Sequence, residues 1–310
     1  MRQARGWRGV GTTILLAALA GCGGDSGSKP LSFAEQVIRA QSEKEPRFRA
    51  QRLIRIATDQ GNAGDVYGAK DTLNQGFRAA DQVDDPPARV LVFLYLTEAQ
   101  SQLGFRAEAA HSGRRALEAA QRIDDTERKA VGLARAARAL ALGGNAEKAV
   151  EALTDAAKLA PKVDDLGGRV VVLANIGRGY AAADRRAEAD QALQSAQETA
   201  LSMRSGSAQV KAMADIALVE HAMGRAEEAT KTFDTAASLA AQIEDPRIRT
   251  YALADLAERL SKAGKADKTH KVLAEAELLT AKINATDAQQ QALEHVRRLM
   301  RALPPPADAT

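Results

Sequence analysis

Between residues 47 and 303 apolar side chains recur at steps of three and four, the signature of helices with one face turned to a core. The pattern repeats every forty residues without a gap. One column of large residues reads Leu53, Phe93, Leu133, Leu173, Met213, Leu253 and Leu293. Small residues hold two more: Ala69, Ala109, Ala149, Ala189, Ala229 and Thr269, then Gly76, Ala116, Ala156, Ala196, Ala236 and Ala276. Another column, Gly64, Gly104, Gly144, Asp184, Gly224 and Gly264, suits helix ends. Val83, Ile123, Val163, Met203, Ile243 and Ile283 close each unit. Acidic residues follow in "QVDDPPAR", "RIDDTERK", "KVDDLGGR" and "QIEDPRIR". Asp85-Pro86 and Asp245-Pro246 place a capping carboxylate before a proline at the first helical position. Each unit therefore predicts two helices. The first runs from the acidic cap to the glycine column, and the second starts two or three residues later.

No single pair could bury its apolar face, so stacked pairs must share a continuous core. The ends are different. "LSFAEQVIRAQSEK" predicts a lone capping helix within residues 32–46, with Phe33 in the column of Phe233. "DAQQQALEHVRRLMRAL" predicts a polar closing helix, and "PPPADAT" (304–310) a disordered tail. Hydrophobic residues make up 45% of the chain and aromatics 4%, which favours an all-α fold.

Residues 50 to 289 resemble tetratricopeptide repeats. In "LANIGRGYAAADRRAEADQALQSA", Leu173, Ile176, Gly177, Tyr180, Ala189, Leu193 and Ala196 follow that family's order. Met213, Ile216, Ala217, Gly224, Ala229, Phe233 and Ala236 follow it again. The resemblance implies a right-handed α-solenoid of antiparallel helix pairs, with about six repeats plus a capping helix and a protein partner in a concave groove. Units of forty residues depart from the family's usual thirty-four, so the groove's curvature is not carried over. Projected on the family pattern, the wall holds Arg55 and Thr58, Tyr95 and Glu98, Arg135 and Arg138, Asn175 and Arg178, Asp215 and Leu218, and Asp255 and Glu258. Its middle is basic, suited to a ligand bearing acids. Asn175 and Lys211 match two positions of the family's carboxylate clamp, while Ala134 and Asp215 break it. Arg135, Arg138, Asn175, Arg178 and Lys211 are the candidate protein-binding groove.

The first 21 residues have another character. Arg2, Arg5 and Arg8 precede a short apolar run, the pattern of a secretory signal and too short to span a bilayer. The run ends in Leu19-Ala20-Gly21-Cys22, which resembles the lipobox of bacterial lipoproteins. That resemblance implies cleavage before Cys22, lipid on its sulfur and a palmitate-type acyl group on the new amino terminus. Residues 22–31 then read as a flexible tether. Gly23, rather than aspartate, resembles outer-membrane sorting, which places the protein in the cell envelope facing the periplasm. Cys22 is the only cysteine, so neither an intramolecular disulfide nor a cysteine cluster is open to it. The formal net charge of +3 also resolves here. Of 43 basic residues three lie in the signal, and the remaining 40 meet 40 acidic ones. Nothing then favours nucleic acid.

Candidate chemistry is sparse. The four histidines, at 111, 221, 270 and 295, never stand at i, i+4, and no phosphate-cradling loop or nucleophile elbow occurs. The acidic pairs are explained as caps, without a calcium loop around them. These observations lead to a non-enzyme needing no metal and no cofactor: a lipid-anchored scaffold or adaptor for another protein, in envelope, secretion or pilus assembly. The alternative is a glycan-binding lipoprotein or a regulator of an envelope enzyme, but the repeats contain no tryptophan and few tyrosines for sugar stacking. End-to-end self-assembly is a third reading, opposed by the polar closing helix.

Overall fold

The computed structural model describes residues 30–204 and 206–303; Cys22, the signal segment, the tether up to residue 29 and the tail lie outside them. Among the described residues the fold is all-α. A short α1 (Phe33–Gln41) precedes six helix pairs. They are α2 (Pro46–Asn62) with α3 (Val66–Asp81), α4 (Pro86–Gln102) with α5 (Arg106–Gln121), and α6 (Thr126–Leu142) with α7 (Ala146–Leu159). Next come α8 (Leu166–Ala182) with α9 (Arg186–Ser202), α10 (Ser207–Ala222) with α11 (Ala226–Ala241), and α12 (Pro246–Lys262) with α13 (Ala266–Thr280). Helix α14 (Thr286–Ala302) closes the stack.

The first helix of each pair packs closely on the first helix of the next, while successive second helices meet mainly through longer side chains, as in Lys70–Glu108 and Phe77–His111. That asymmetry bends the stack into a solenoid, with the first helices lining its inner wall. The columns explain the packing. Ala69, Ala109, Ala149, Ala189, Ala229 and Thr269 are all completely buried, as are the alanines from Ala116 to Ala276. In the fourth pair, a Cβ on Gly177 would come 3.0 Å from Leu193 Cγ and 3.3 Å from the Ala189 carbonyl, so the two helices meet almost backbone to backbone. Phe93, Met213, Leu253 and their equivalents fill the space around each such crossing.

Both ends of the inner helices are built by repetition. Asp85, Asp125, Asp165 and Asp245 each accept a hydrogen bond from the backbone N–H three residues on. At the far end, Asn145 N–H donates to the Leu140 carbonyl and Gly144 N–H to that of Ala141, a Schellman closure. The same pair of bonds recurs in all six units. It requires positive φ at the turn: Gly144 stands at 85°, and Asp184 holds the equivalent place at 58°.

A further column was not anticipated. Arg89 donates from Nε to the Val83 carbonyl and from Nη2 to that of Asp81, latching the end of α3 to the start of α4. Arg169 does the same to Val163, Lys129 reaches the Gln121 carbonyl, and Gln209 spans the carbonyls of Ala200, Leu201 and Met203. These donors satisfy carbonyls that a helix end leaves open.

Packing is not uniform along the stack. Helix α5 lies close on α6, where a Cβ on Gly113 would meet the Ala139 carbonyl at 2.9 Å and one on Gly143 would meet Ala110 Cα at 2.8 Å. The buried core forms two clusters that divide across α8 and α9, and α8 packs more loosely on α10 than on α6. Asp184→Gly is expected to raise stability by about 1 kcal/mol by removing the strain of a side chain at positive φ. Gly113→Ala is expected to lower it by about 1–3 kcal/mol through overpacking. Urea unfolding followed by circular dichroism measures both.

Candidate functional site

The inner helices bring two columns of polar side chains to the concave wall. One holds residues 55, 95, 135, 175, 215 and 255; the other stands one turn further on at 58, 98, 138, 178, 218 and 258. Residues three apart on a helix share a face, so the columns run side by side. Leu94, Ala134, Ala174, Ala214 and Ala254 lie buried next to them where the inner helices touch. Position 134, occupied by lysine in the family's clamp, is therefore a packing site in this chain.

The centre of the wall is a cluster drawn from three helices: Tyr95 and Glu98 on α4, Arg135 and Arg138 on α6, and Arg178 on α8. Arg138 Nη2 lies 2.6 Å from Glu98 Oε1, and both side chains are largely buried. Arg135 and Arg178 are half-buried and carry no hydrogen bond or ion pair among the described residues. Burial lowers the pKa of Arg135, offset in part by Tyr95. Burial also pushes Arg178 down to about 10, assisted by the charges of Arg138 and Arg135 against the opposing pull of Glu98 and Tyr95. At neutral pH all three arginines remain charged, one carboxylate faces them, and the cluster carries a net charge near +2.

Two other candidate residues stand apart from the cluster. The Asn175 side chain donates back to the Val171 carbonyl of its own helix at 2.7 Å. Lys211 is exposed on the first turn of α10, and no hydrogen bond or ion pair joins it to the cluster. Further along, Arg259 lies 2.6 Å from Asp215 and also donates to the Asp255 carbonyl, so it already neutralises the first acid of the distal wall. Sequence reasoning missed Arg259 because it falls one position outside the two columns. Asp255 and Glu258 carry no ion pair among the described residues.

A second polar cluster lies inside the stack rather than on the wall. Glu220, 3% exposed, takes the place that Gln60 and Gln100 hold in earlier units. Its Oε1 accepts from Gln197 Nε2 at 2.8 Å, and its Oε2 is buried without a partner. Burial raises its pKa and Glu228 adds to the rise, while Thr232, Arg225 and Gln197 oppose it. Among the described residues no group of histidine, cysteine and carboxylate side chains could hold a metal ion. No helix among them is long and apolar enough to cross a membrane.

No protein family and no curated protein matches the sequence. Among solved structures, Ton1535 from Thermococcus onnurineus NA1 is similar at 14% identity, over 84% of this chain and 94% of its own, with a TM-score of 0.39. BtubC (BKLC) from P. vanneervenii shares 15% identity over 83% of this chain and 94% of its own, at a TM-score of 0.36. A putative kinesin light chain of nearly identical TPR-like repeats from Podosopora anserina shares 17% identity over 65% of this chain and 98% of its own, at a TM-score of 0.34.

Two measurements test these electrostatics. Arg178→Met keeps the apolar stem and removes a half-dehydrated, unpaired charge, so the free protein should gain on the order of 1 kcal/mol in urea unfolding at pH 7. Glu220 holds its proton more firmly folded than unfolded, so its charge costs stability above its raised pKa, and the cost fades as pH falls toward 4.5. Glu220→Gln should therefore stabilise at pH 8 by about 1 kcal/mol and converge with the parent near pH 4, as followed by thermal unfolding across pH.

Proposed function

We propose that the chain is a scaffold that binds another protein along its concave wall, with no catalytic step of its own. The observation that carries this reading is the central arginine cluster. Two charged guanidinium groups are kept half out of water with no anion bonded to them, an arrangement that costs the free protein stability and that a ligand's oxygens would relieve. Polar groups held at such a cost are characteristic of binding sites. On the address, the proposal follows the lipobox resemblance: Cys22 carries lipid, residues 22–31 let the solenoid stand off, and the protein faces the periplasm from the outer membrane of a bacterial envelope. Two or three acyl chains hold far more firmly than one, so anchoring there would be stable.

A photo-crosslinking residue at Val171, which is 40% exposed in the same face as Arg178, tests the wall in cells with Cys22 intact. A discrete adduct is expected, and it should vanish when Arg135 and Arg178 are changed to glutamate. An adduct found only from Leu278 on outer helix α13, 75% exposed, would overturn the concave reading. Silence at both positions would overturn the scaffold itself. Cys22→Ser should move the chain from the membrane to the soluble fraction; an unchanged distribution would remove the lipid anchor from the proposal.

A further inference from the structure

The charges along the wall specify more than a generic protein surface. From α4 to α12, Arg135 on α6, Arg178 on α8 and the exposed Lys211 on α10 are unpaired cations; Asp255 and Glu258 on α12 are unpaired anions. The remaining charges of these wall columns cancel locally, Arg138 with Glu98 and Asp215 with Arg259. A nucleic acid would carry its phosphates past the cluster and onto Asp255 and Glu258, where they would be repelled. A single dianion seated at the arginines would lie against Glu98. Two monocarboxylates on alternate residues of an extended chain spread the same charge over two helices, and guanidinium forks match them in geometry. Packed helices stand roughly 8–10 Å apart, so α8 to α12 spans about 16–20 Å, or about five or six residues of extended chain.

We infer that the wall binds an extended peptide segment bearing two acidic residues, separated by one residue, over Arg135 and Arg178 and a basic residue over Asp255 and Glu258. Glu98 on α4 occupies Arg138 as an internal stand-in for a ligand carboxylate. This rests on the concave reading above and names the partner's chemistry. Glu98 thereby sets the affinity: while it holds Arg138, two guanidiniums remain for the ligand; without it there are three. A purely structural Glu98–Arg138 pair would have the opposite consequence, because freeing Arg138 would disorder the site.

The probe is a fluorescently labelled Gly/Ser peptide with two glutamates separated by one residue and a lysine six positions beyond, titrated against the purified full chain by anisotropy. Binding is expected, with at least about a ten-fold loss when both glutamates become glutamine, and a similar loss in the Arg135→Met, Arg178→Met double variant. Replacing the lysine by glutamine should weaken binding roughly three-fold or more, and Glu98→Gln should tighten it by a similar factor with a steeper salt dependence. Equal affinity for the glutamate and glutamine peptides would overturn the ligand class, as would tighter binding of the matching phosphoserine peptide or of a single-stranded oligonucleotide. Weaker binding by Glu98→Gln, with an unchanged circular dichroism spectrum, would overturn the stand-in role. If the Val171 adduct persists in the double methionine variant, the scaffold stands and this ligand falls.

Discussion

Everything in this molecule depends on how closely the two helices of each pair can approach. The crossing is made by small residues, an alanine or glycine on the inner helix (Thr97 in the second unit) against the Ala69–Ala229 column on the outer one (Thr269 in the sixth), and it is buried in every unit. Any larger residue there would push the pair apart and open voids around Phe93, Leu253 and their equivalents. Because the first helices approach one another more closely than the second helices do, the same crossing also fixes which face is concave. The capping aspartates and Schellman turns then set the length of each inner helix, so that the wall residues arrive in register from one unit to the next.

That register makes the wall's chemistry readable as a grid, in which charge is the variable and position the constant. Within it, the fold tolerates an arrangement that stability alone would not select. Arg138 has a partner, and Arg259 has one, yet Arg135 and Arg178 have none although burial lowers the pKa of both. The tight packing of α8 on α6, helped by Gly179 lying against the Ala134 carbonyl and Leu153, is what dehydrates them. A close helix contact thus strengthens the cluster's field on any anion that enters.

Much of this was legible in the sequence because forty-residue periodicity makes each position speak six times. The column at Gly64 shows it: five glycines identify a positive-φ turn, and Asp184 conforms at 58° although its side chain argues against it. The three arginines were placed on the wall by projecting the resembled family's pattern onto that register. What register could not show was pairing, since partners come from different helices at distances no pattern encodes. Glu98 meeting Arg138 and Arg259 meeting Asp215 both depend on the rotation between neighbouring units. The clamp resemblance at Asn175 and Lys211 shows the same limit: the residue types match, but Asn175 bonds to its own helix and Lys211 stays in solvent. The latch column of Arg89, Lys129, Arg169 and Gln209 escaped the sequence reading, because its role depends on the carbonyls it caps.

The division of the core across α8 and α9 gives the stack a mechanical character. A solenoid pulled from its two ends carries the load through its joints in series, and extension concentrates where the joint is softest. Here that place is the junction of α9 with α10, where Gln209 replaces a cationic latch, Gly206 stands in the capping position, and α8 rests loosely on α10. The stack is a spring with one compliant coil, placed immediately beyond the arginine cluster, so that stretching it would separate the basic half of the wall from the acidic half before either lost its own shape.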